Sequence, residues 1–360
     1  MIIVKTIIKN KLWVSSVLAF IAILIIPFVL SFVQSSSLSM PQGAYVKSGN
    51  RIFYNFLEKV KQNNGILVLG TSETGNSLNG NNYHSFLNKD KGFNRSLYSF
   101  GGAGRCSNVY FPLILDNPKA FSELEIIYYI NPTYWRQGLS KFHSNYFNRY
   151  VDSTLVYAVK EKAQRLKVYD QFMKDGVTER NYLPFLITRI IDNFKSFYYH
   201  DLDKLFKKNN VVYPVKIDIN NHYDKQQIER FKEDINLEYN AFQWFVNTNS
   251  AFPIIDTTTT YQYDMLRAFI QLVKEYNINC KFYLGPYNKI YCNKKSPTLK
   301  KEYQDVITNI KTILTINDVD FIDGSIFSNT PGTFIDIQHI SEYGAYLTAL
   351  QIKEFYEKNN

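Results

Sequence analysis

Short apolar runs, separated by segments long enough for helices, recur along the chain and predict the strands of a sheet. They lie at residues 65–69, 95–100, 125–130, 280–284 and 319–322. Strands joined by such connections pair in parallel, because a parallel crossover needs about a dozen residues or more. The helices within the crossovers cover both faces of the sheet. The pattern therefore predicts an α/β fold with a mostly parallel five-stranded sheet.

Apolar positions spaced three to four residues apart predict helices in three segments. These are residues 51–60, 261–276 and 341–358, and Ser341 is placed to cap the last of them. Between residues 134 and 250 the pattern is instead irregular, aromatic and charged. That stretch is longer than a single connection in a compact sheet needs. We therefore expect an inserted, mainly helical lobe over about residues 134–250.

The N-terminal segment combines three lysines with a charge-free apolar run from Leu12 to Val33. A helix of about 22 residues is roughly 33 Å long, enough to cross the hydrocarbon core of a bilayer. No A-x-A-like cleavage site follows the run, which favours an uncleaved anchor over a secretory signal. Lysines before the span place the N-terminus inside and the rest of the chain outside. We expect a single-pass membrane anchor at residues 1–34, a linker at 35–50 and an extracytoplasmic domain at 51–360.

Composition adds little to this outline. The chain of 360 residues has a net charge of +9, spread as isolated lysines and arginines rather than in a block. This charge suits an anionic polymer or a lipid surface, and it suits an ordinary solvated surface equally well, so no nucleic-acid partner is predicted. The aromatic fraction of 16% fits a sugar-binding cleft, but it also fits the codon preference of an AT-rich genome.

The cysteines and most of the histidines suggest no metal or cofactor. Cys106, Cys280 and Cys292 form no C-x-x-C pair, which argues against a zinc knuckle or a thioredoxin-like site. Two alternatives stay open: either Cys280 and Cys292 form a disulfide, or all three cysteines are free thiols. Four of the five histidines are scattered without metal-ligand spacing. We therefore predict no metal site and no cofactor.

The candidate chemistry lies in two segments. In the first, the run Ile-Leu-Val-Leu ends in Gly70 and brings Ser72 to the next turn; in the second, Asp336 precedes His339 by three residues. Serine becomes a nucleophile when a neutral histidine takes its proton, and that histidine needs a carboxylate to hold its tautomer. Alternatively, Ser72 is a helix N-cap, Asp336 forms a turn and His339 caps the last helix. Their joint occurrence, in the order Ser, Asp, His, favours serine-based acyl transfer.

The turn that carries this serine differs from two better-known motifs. It misses the G-x-S-x-G elbow of the α/β-hydrolases. It nearly matches a phosphate-binding loop, but Asn76 stands where the lysine of that loop should be. Two other turns at strand ends offer candidate oxyanion donors: a glycine-rich turn with Gly101 and Gly102, and the side-chain amide of Asn131. The glycine-rich turn lacks the last glycine of a dinucleotide loop, and Asn131 can also be a turn residue before proline.

Taken in order, four blocks of the sequence resemble those of the SGNH hydrolases. They are the G-x-S-E turn at residues 70–73, the glycine-rich turn at 101–104, Asn-Pro-Thr-Tyr-Trp at 131–135, and D-x-x-H-I-S-x-x-G at 336–344. Together with its N-terminal apolar span, the chain is similar to the DltD-like D-alanyl transfer proteins of that superfamily. Two positions depart from the closest members, because Thr71 replaces a smaller residue and Asn-Pro replaces Ser-Pro.

The resemblance implies a three-layer α/β/α, flavodoxin-like SGNH fold, with Ser72 as nucleophile, Asp336 and His339 as its partners, and the turn of Gly101 and Gly102 as oxyanion support. It also implies a membrane-anchored serine acyltransferase or esterase that modifies a cell-envelope polysaccharide or teichoic-acid-like polymer. D-alanylation or O-acetylation would proceed through an acyl-serine, with a membrane-bound O-acyltransferase as partner. Transfer and hydrolysis both stay open, as does a non-catalytic domain of the same fold that binds polymer or partner.

Overall fold

A computed structural model describes the chain over residues 11–22, 51–74, 81–102, 106–136, 215–233, 261–295, 297–336 and 339–359. Five strands form one parallel sheet: β1 Ile66–Leu69, β2 Leu97–Ser99, β3 Glu125–Ile130, β4 Asn279–Leu284 and β5 Phe321–Asp323. Each strand lies within two residues of its predicted bounds, so the predicted parallel α/β sheet is confirmed. The strand order β2-β1-β3-β4-β5 is consistent with a flavodoxin-like fold.

Helices precede, connect and follow the strands. They are α1 (Arg51–Gln62), α2 (Tyr83–Lys89), α3 (Ser107–Asp116), α4 (Pro118–Ser122), α5 (Lys225–Glu233), α6 (Tyr261–Glu275), α7 (Lys289–Lys295), α8 (Pro297–Ile316) and α9 (Glu342–Asn359). The three predicted helices correspond to α1, α6 and α9, within two residues at each end. Ser341 caps α9 as expected, since its Oγ accepts a hydrogen bond from the Gly344 N–H at 3.0 Å.

Alternate side chains of the central strands face opposite layers of helices. On β1, Leu67 and Leu69 pack into the core under α1, α3, α6 and α8, whereas Ile66 and Val68 pack into the core under α2 and α9. All four side chains are fully buried, and burial of each contributes roughly 1.5–3 kcal/mol relative to exposure. The sheet is thus the middle of three layers, and β1 is held from both faces, which fixes where the turn after it begins.

Part of the predicted membrane anchor is described. Residues 11–22 are helical, and most of their apolar side chains are exposed, among them Leu12, Trp13 and Phe20. No helix in the described ranges combines the length and the apolar character needed to cross a bilayer. The rest of the predicted span, as far as Val33, and the predicted linker at residues 35–50 lie outside the described residues.

The predicted inserted lobe also lies largely outside the described residues, and its main described part is the segment 215–233. This segment returns beside the end of α2 and runs along the layer formed by α2 and α9. The ring of Phe231 on α5 stacks on Tyr343 of α9, with centroids 5.3 Å apart. Gly332 lies against α5, where a Cβ would overlap the Phe231 carbonyl, and its φ of +80° also favours glycine. The segment thus supports the loop that precedes α9.

A buried histidine on α2 should make the domain sensitive to acid. His84 is 3% exposed, and burial lowers its pKa from 6.5 to about 3. Below about pH 6.5 the unfolded chain binds this proton while the folded chain does not, so stability falls as the pH drops from there towards 3. We expect His84 to lower the free energy of unfolding by about 2 kcal/mol between about pH 7 and pH 5, while His339, whose pKa is raised, contributes in the opposite direction. Urea unfolding of the full-length chain measures the pH dependence.

Replacing the same histidine tests its contribution. His84→Leu should remove the contribution of His84 to this pH dependence, because no proton can then be taken up on unfolding at that position. The same slope in His84→Leu and wild type would assign the loss in acid to other groups.

Candidate active site

The predicted site residues meet at one edge of the sheet. Ser72 lies three residues after the end of β1, Asn131 directly follows β3, and the loop with Asp336 and His339 follows β5. The carboxyl ends of parallel strands share an edge, and the chain crosses from one side of β1 to the other between β2 and β3. In open parallel sheets, ligands bind outside the carboxyl ends at such a crossing point. The topology therefore places these segments around a common ligand-binding position.

The turn after β1 depends on Gly70. Its φ of +150° suits glycine, and a Cβ there would lie 2.6 Å from Thr74 Cγ2 and 2.9 Å from the Tyr129 carbonyl oxygen. The Tyr110 hydroxyl accepts the Gly70 N–H at 2.9 Å and donates to the Gly70 carbonyl at 2.6 Å. Ser72 then begins a short 3-10 turn and is partly exposed. This construction presents the serine at the edge of the sheet.

Ser72, His339 and Asp336 form a hydrogen-bonded chain. The His339 Nε2 lies 3.0 Å from Ser72 Oγ, and Nδ1 lies 2.6 Å from Asp336 Oδ2. The other carboxylate oxygen, Oδ1, accepts the His339 backbone N–H at 2.6 Å. An ionised carboxylate only accepts hydrogen bonds, so Nδ1 carries the hydrogen of the neutral imidazole and Nε2 faces the serine as an acceptor. Base activation of a serine requires this arrangement.

A narrow loop holds Asp336 and His339 together. The Ile335 N–H donates to the His339 carbonyl at 3.1 Å, which closes the loop around both side chains. At the end of β4, the side-chain amide of Asn288 donates to the Asp336 carbonyl at 3.2 Å. Asn288 is buried, and the sequence patterns did not identify it. Its one signal is its place after Gly-Pro-Tyr at the carboxyl end of β4, the same edge as the other site segments.

Two carboxylates raise the pKa of His339. Burial by itself lowers this pKa, but the hydrogen bond with Asp336 and the negative charges of Glu73 and Asp336 outweigh burial. The pKa of the imidazole therefore lies above its ordinary value, and the site stabilises the imidazolium form. His339 reaches this form when it accepts a proton from Ser72.

Glu73 is a site residue to which the sequence patterns assigned no role. Its side chain is buried next to Ser72, with one oxygen accepting the Thr71 hydroxyl and the other the Asn131 amide. Burial raises the pKa of this carboxyl, while protonated His339 and the bond from Thr71 oppose that rise. The available signal was an acidic residue directly after the serine, in the turn that follows a fully buried strand.

The predicted oxyanion donors differ in how they are engaged. The Gly102 N–H donates to the Gly70 carbonyl at 3.1 Å, so this donor is committed to the backbone. The Gly101 N–H donates to no other group within the described part of the chain. A Cβ on Gly101 would overlap the Thr74 hydroxyl, so glycine is required there. Of the two glycines, Gly101 is the better candidate, and the oxyanion roles of Gly101 and Asn131 stay predictions.

The three cysteines are free thiols. Cys106 and Cys292 are buried and Cys280 is partly buried, so the disulfide that the sequence left open between Cys280 and Cys292 is absent. Burial raises the thiol pKa of Cys106 and of Cys280, which keeps both protonated and weakly nucleophilic. Across the described ranges, no group of three or more His, Cys, Asp or Glu side chains is placed to hold a metal ion.

Two comparisons with known proteins gave no match. No protein-family profile matches the chain, and no curated protein matches it. The chemical interpretation therefore depends on how the chain's own residues are arranged around Ser72 and His339.

Proposed function

We propose that this protein is a serine acyltransferase or esterase of the SGNH type. The observation that carries the proposal is the chain of contacts from Ser72 Oγ to His339 Nε2, at 3.0 Å, and from His339 Nδ1 to Asp336 Oδ2, at 2.6 Å. At these distances the three side chains suit the roles of nucleophile, base and orienting carboxylate. The side chains of His339 and Asp336 are only 14% and 9% exposed, so the protein shields the pair from water. Ser72 stays partly accessible.

In the first half-reaction, Ser72 Oγ attacks the carbonyl carbon of an acyl donor while its proton passes to His339 Nε2. A bond forms between Oγ and carbon, and the electron pair of the carbonyl moves onto its oxygen, where Gly101 and Asn131 are the candidate donors. Collapse of this intermediate breaks the bond to the leaving oxygen, which takes the proton from Nε2. Ser72 is left as an acyl ester.

In the second half-reaction, the hydroxyl of an acceptor gives its proton to His339 Nε2 and attacks the ester carbon. The bond between that carbon and Ser72 Oγ breaks, and Oγ recovers the proton. Water as acceptor gives hydrolysis, and a sugar or polymer hydroxyl gives transfer. The same three side chains serve both outcomes.

The biological assignment uses the sequence resemblance. The order of the four motif blocks, the N-terminal apolar run and the parallel sheet support a DltD-like member of the SGNH superfamily. On that basis we propose a protein anchored in the cell membrane, with its domain outside, that acts on a cell-envelope polysaccharide or teichoic-acid-like polymer. A membrane-bound O-acyltransferase would supply the D-alanyl or acetyl group.

A fluorophosphonate probe should label the full-length chain at Ser72, because such probes react with serines activated by a neighbouring base. Mass spectrometry should place the adduct on the peptide that contains Ser72, and Ser72→Ala should abolish it. Ser325, whose hydroxyl donates to Asp323, provides a control, and Ser325→Ala should be labelled like the wild type. A folded wild-type chain that stays unlabelled would contradict acyl-enzyme chemistry and favour a domain that binds polymer or partner without turnover.

A further inference from the structure

We propose that Glu73 is a positioning residue of the acyl-transfer site, which holds the Asn131 amide with one carboxylate oxygen and supports the imidazolium of His339 with its charge. The inference rests on the proposed function, since it assigns Glu73 a part in that reaction. Glu73 acts through these two neighbours rather than on the substrate itself.

Both oxygens of the Glu73 carboxylate are engaged by buried donors. Oε2 accepts the Thr71 hydroxyl, and Oε1 accepts a hydrogen of Asn131 Nδ2. The exposed fractions are 2% for Thr71, 6% for Glu73 and 3% for Asn131. Burying an ionised carboxylate is unfavourable unless a positive charge compensates it, and both of these donors are neutral. The group that offsets this cost with a positive charge is His339 in its imidazolium form, which points to a functional role for this pair.

The Asn131 amide is held in one orientation. Its Oδ1 accepts the Thr133 N–H at 2.9 Å and the Thr133 hydroxyl at 2.5 Å, while Nδ2 donates to Glu73. Turning the amide over would set its NH2 group against the Thr133 N–H and its oxygen against the Glu73 carboxylate. Glu73 and Thr133 therefore fix the plane of the amide together. A donor that stabilises a developing oxyanion needs this kind of preorganisation.

The charge of Glu73 acts through His339. In the described part of the chain, the ionisable groups that interact with Glu73 are His339 and Asp336 from the loop before α9, Cys106 at the start of α3, Tyr83 on α2 and Tyr129 on β3. Among them, His339 is the group that gains a positive charge in the proposed reaction. An imidazolium forms in both half-reactions, so a second carboxylate stabilises the high-energy state of each.

Two variants separate the hydrogen bonds of Glu73 from its charge. Glu73→Gln keeps both bonds, because its oxygen still accepts from Asn131 and its NH2 group can donate to the Thr71 hydroxyl. Glu73→Ala loses both bonds together with the charge. At about pH 8, where His339 is to act as a base, we expect Glu73→Ala to react with the fluorophosphonate probe about 10²-fold more slowly than the wild type. Glu73→Gln should recover most of that loss.

The charge itself is tested by pH dependence. The negative charge of Glu73 raises the pKa of His339, so Glu73→Gln should lower it and move the acid limb of the labelling rate to lower pH. Nitrogen NMR of the histidine-labelled full-length chain reads this pKa directly, and a His339→Gln variant assigns the signal. Glu342, which accepts from Asn81 instead, gives the matched control, and Glu342→Gln should change neither value.

The outcomes distinguish this inference from the proposed function. An unchanged pKa of His339 in Glu73→Gln, or wild-type labelling of Glu73→Ala, would overturn the role of Glu73 and leave the chemistry of Ser72 in place. A wild-type chain that is labelled at no pH would overturn the proposed function. The NMR titration would then still decide whether Glu73 sets the pKa of His339, because it needs no reaction.

Discussion

Asp336→Asn should slow the reaction of Ser72 about 10⁴-fold and leave the protein folded. In the wild type, one carboxylate oxygen accepts the His339 backbone N–H and the other faces Nδ1. Asparagine has a single oxygen, and if that oxygen keeps the backbone bond, its NH2 group faces Nδ1 and forces Nδ1 to act as an acceptor. The imidazole hydrogen then moves to Nε2, so His339 presents a donor to Ser72 and cannot take its proton.

The loss is measured as the rate of hydrolysis of p-nitrophenyl acetate, with the rate of fluorophosphonate labelling as a second readout. Asp323 offers a matched control at the same edge of the sheet. Like Asp336, it accepts a backbone N–H, that of Ser325 at 3.1 Å, and it caps the turn Gly324–Asn329. Asp323→Asn should react at nearly the wild-type rate. If Asp336→Asn reacted as fast as Asp323→Asn, the D-x-x-H pair would be a structural turn rather than the base and its orienting carboxylate.

The strands could be predicted because a buried strand is visible in the sequence as a short run of apolar residues. β1 and β3 are buried on both faces, so each appears as a nearly continuous apolar run. β2 and β5 have three residues each and are shorter than the runs that predicted them, since they are the two edge strands. The contact between Asp336 and His339 could be expected for a similar reason, because three residues of chain keep the two side chains within reach.

Helix α8 was not among the predicted helices, although its core residues recur every three to four positions. Its 20 residues include many threonines and isoleucines, whose branched side chains lower the intrinsic tendency to form a helix. The helix nevertheless places Tyr303, Ile307 and Ile310 in the core. Burial against the rest of the domain therefore stabilises this segment as a helix despite its low intrinsic tendency, and the spacing of these three residues was the signal that the prediction missed.

The remaining site residues could not be assigned because their roles depend on neighbours that are distant in sequence. Glu73 is bound by Asn131, 58 positions away, and Asn288 donates to Asp336, 48 positions away. The backbone N–H of Gly102 points to Gly70 because β1 and β2 lie side by side in this register. The glycines themselves do not indicate where each backbone N–H points. The sequence therefore located the glycine-rich turn but did not show which of its N–H groups is available to an oxyanion.

Lys353→Met should destabilise the domain by about 3–5 kcal/mol. The ammonium of Lys353 on α9 lies 2.9 Å from Asp90 Oδ2, and the two side chains are 5% and 0% exposed. Methionine keeps the apolar stem but leaves the Asp90 carboxylate buried without its counter-charge, although the Ile219 N–H still donates to Oδ1 at 3.1 Å. Urea unfolding should show the change as a lower midpoint with an unchanged slope.

A second lysine of the same helix provides the control. Lys358 pairs with Glu354 at 2.6 Å, but these side chains are 71% and 62% exposed, so Lys358→Met should leave the free energy of unfolding nearly unchanged. Adding Asp90→Asn to Lys353→Met should recover much of the loss, because the amide oxygen still accepts the Ile219 N–H and no buried charge remains unpaired. Equal midpoints for Lys353→Met and Lys358→Met would mean that the buried pair adds no net stability, and that the apolar side of α9 alone holds it on the sheet.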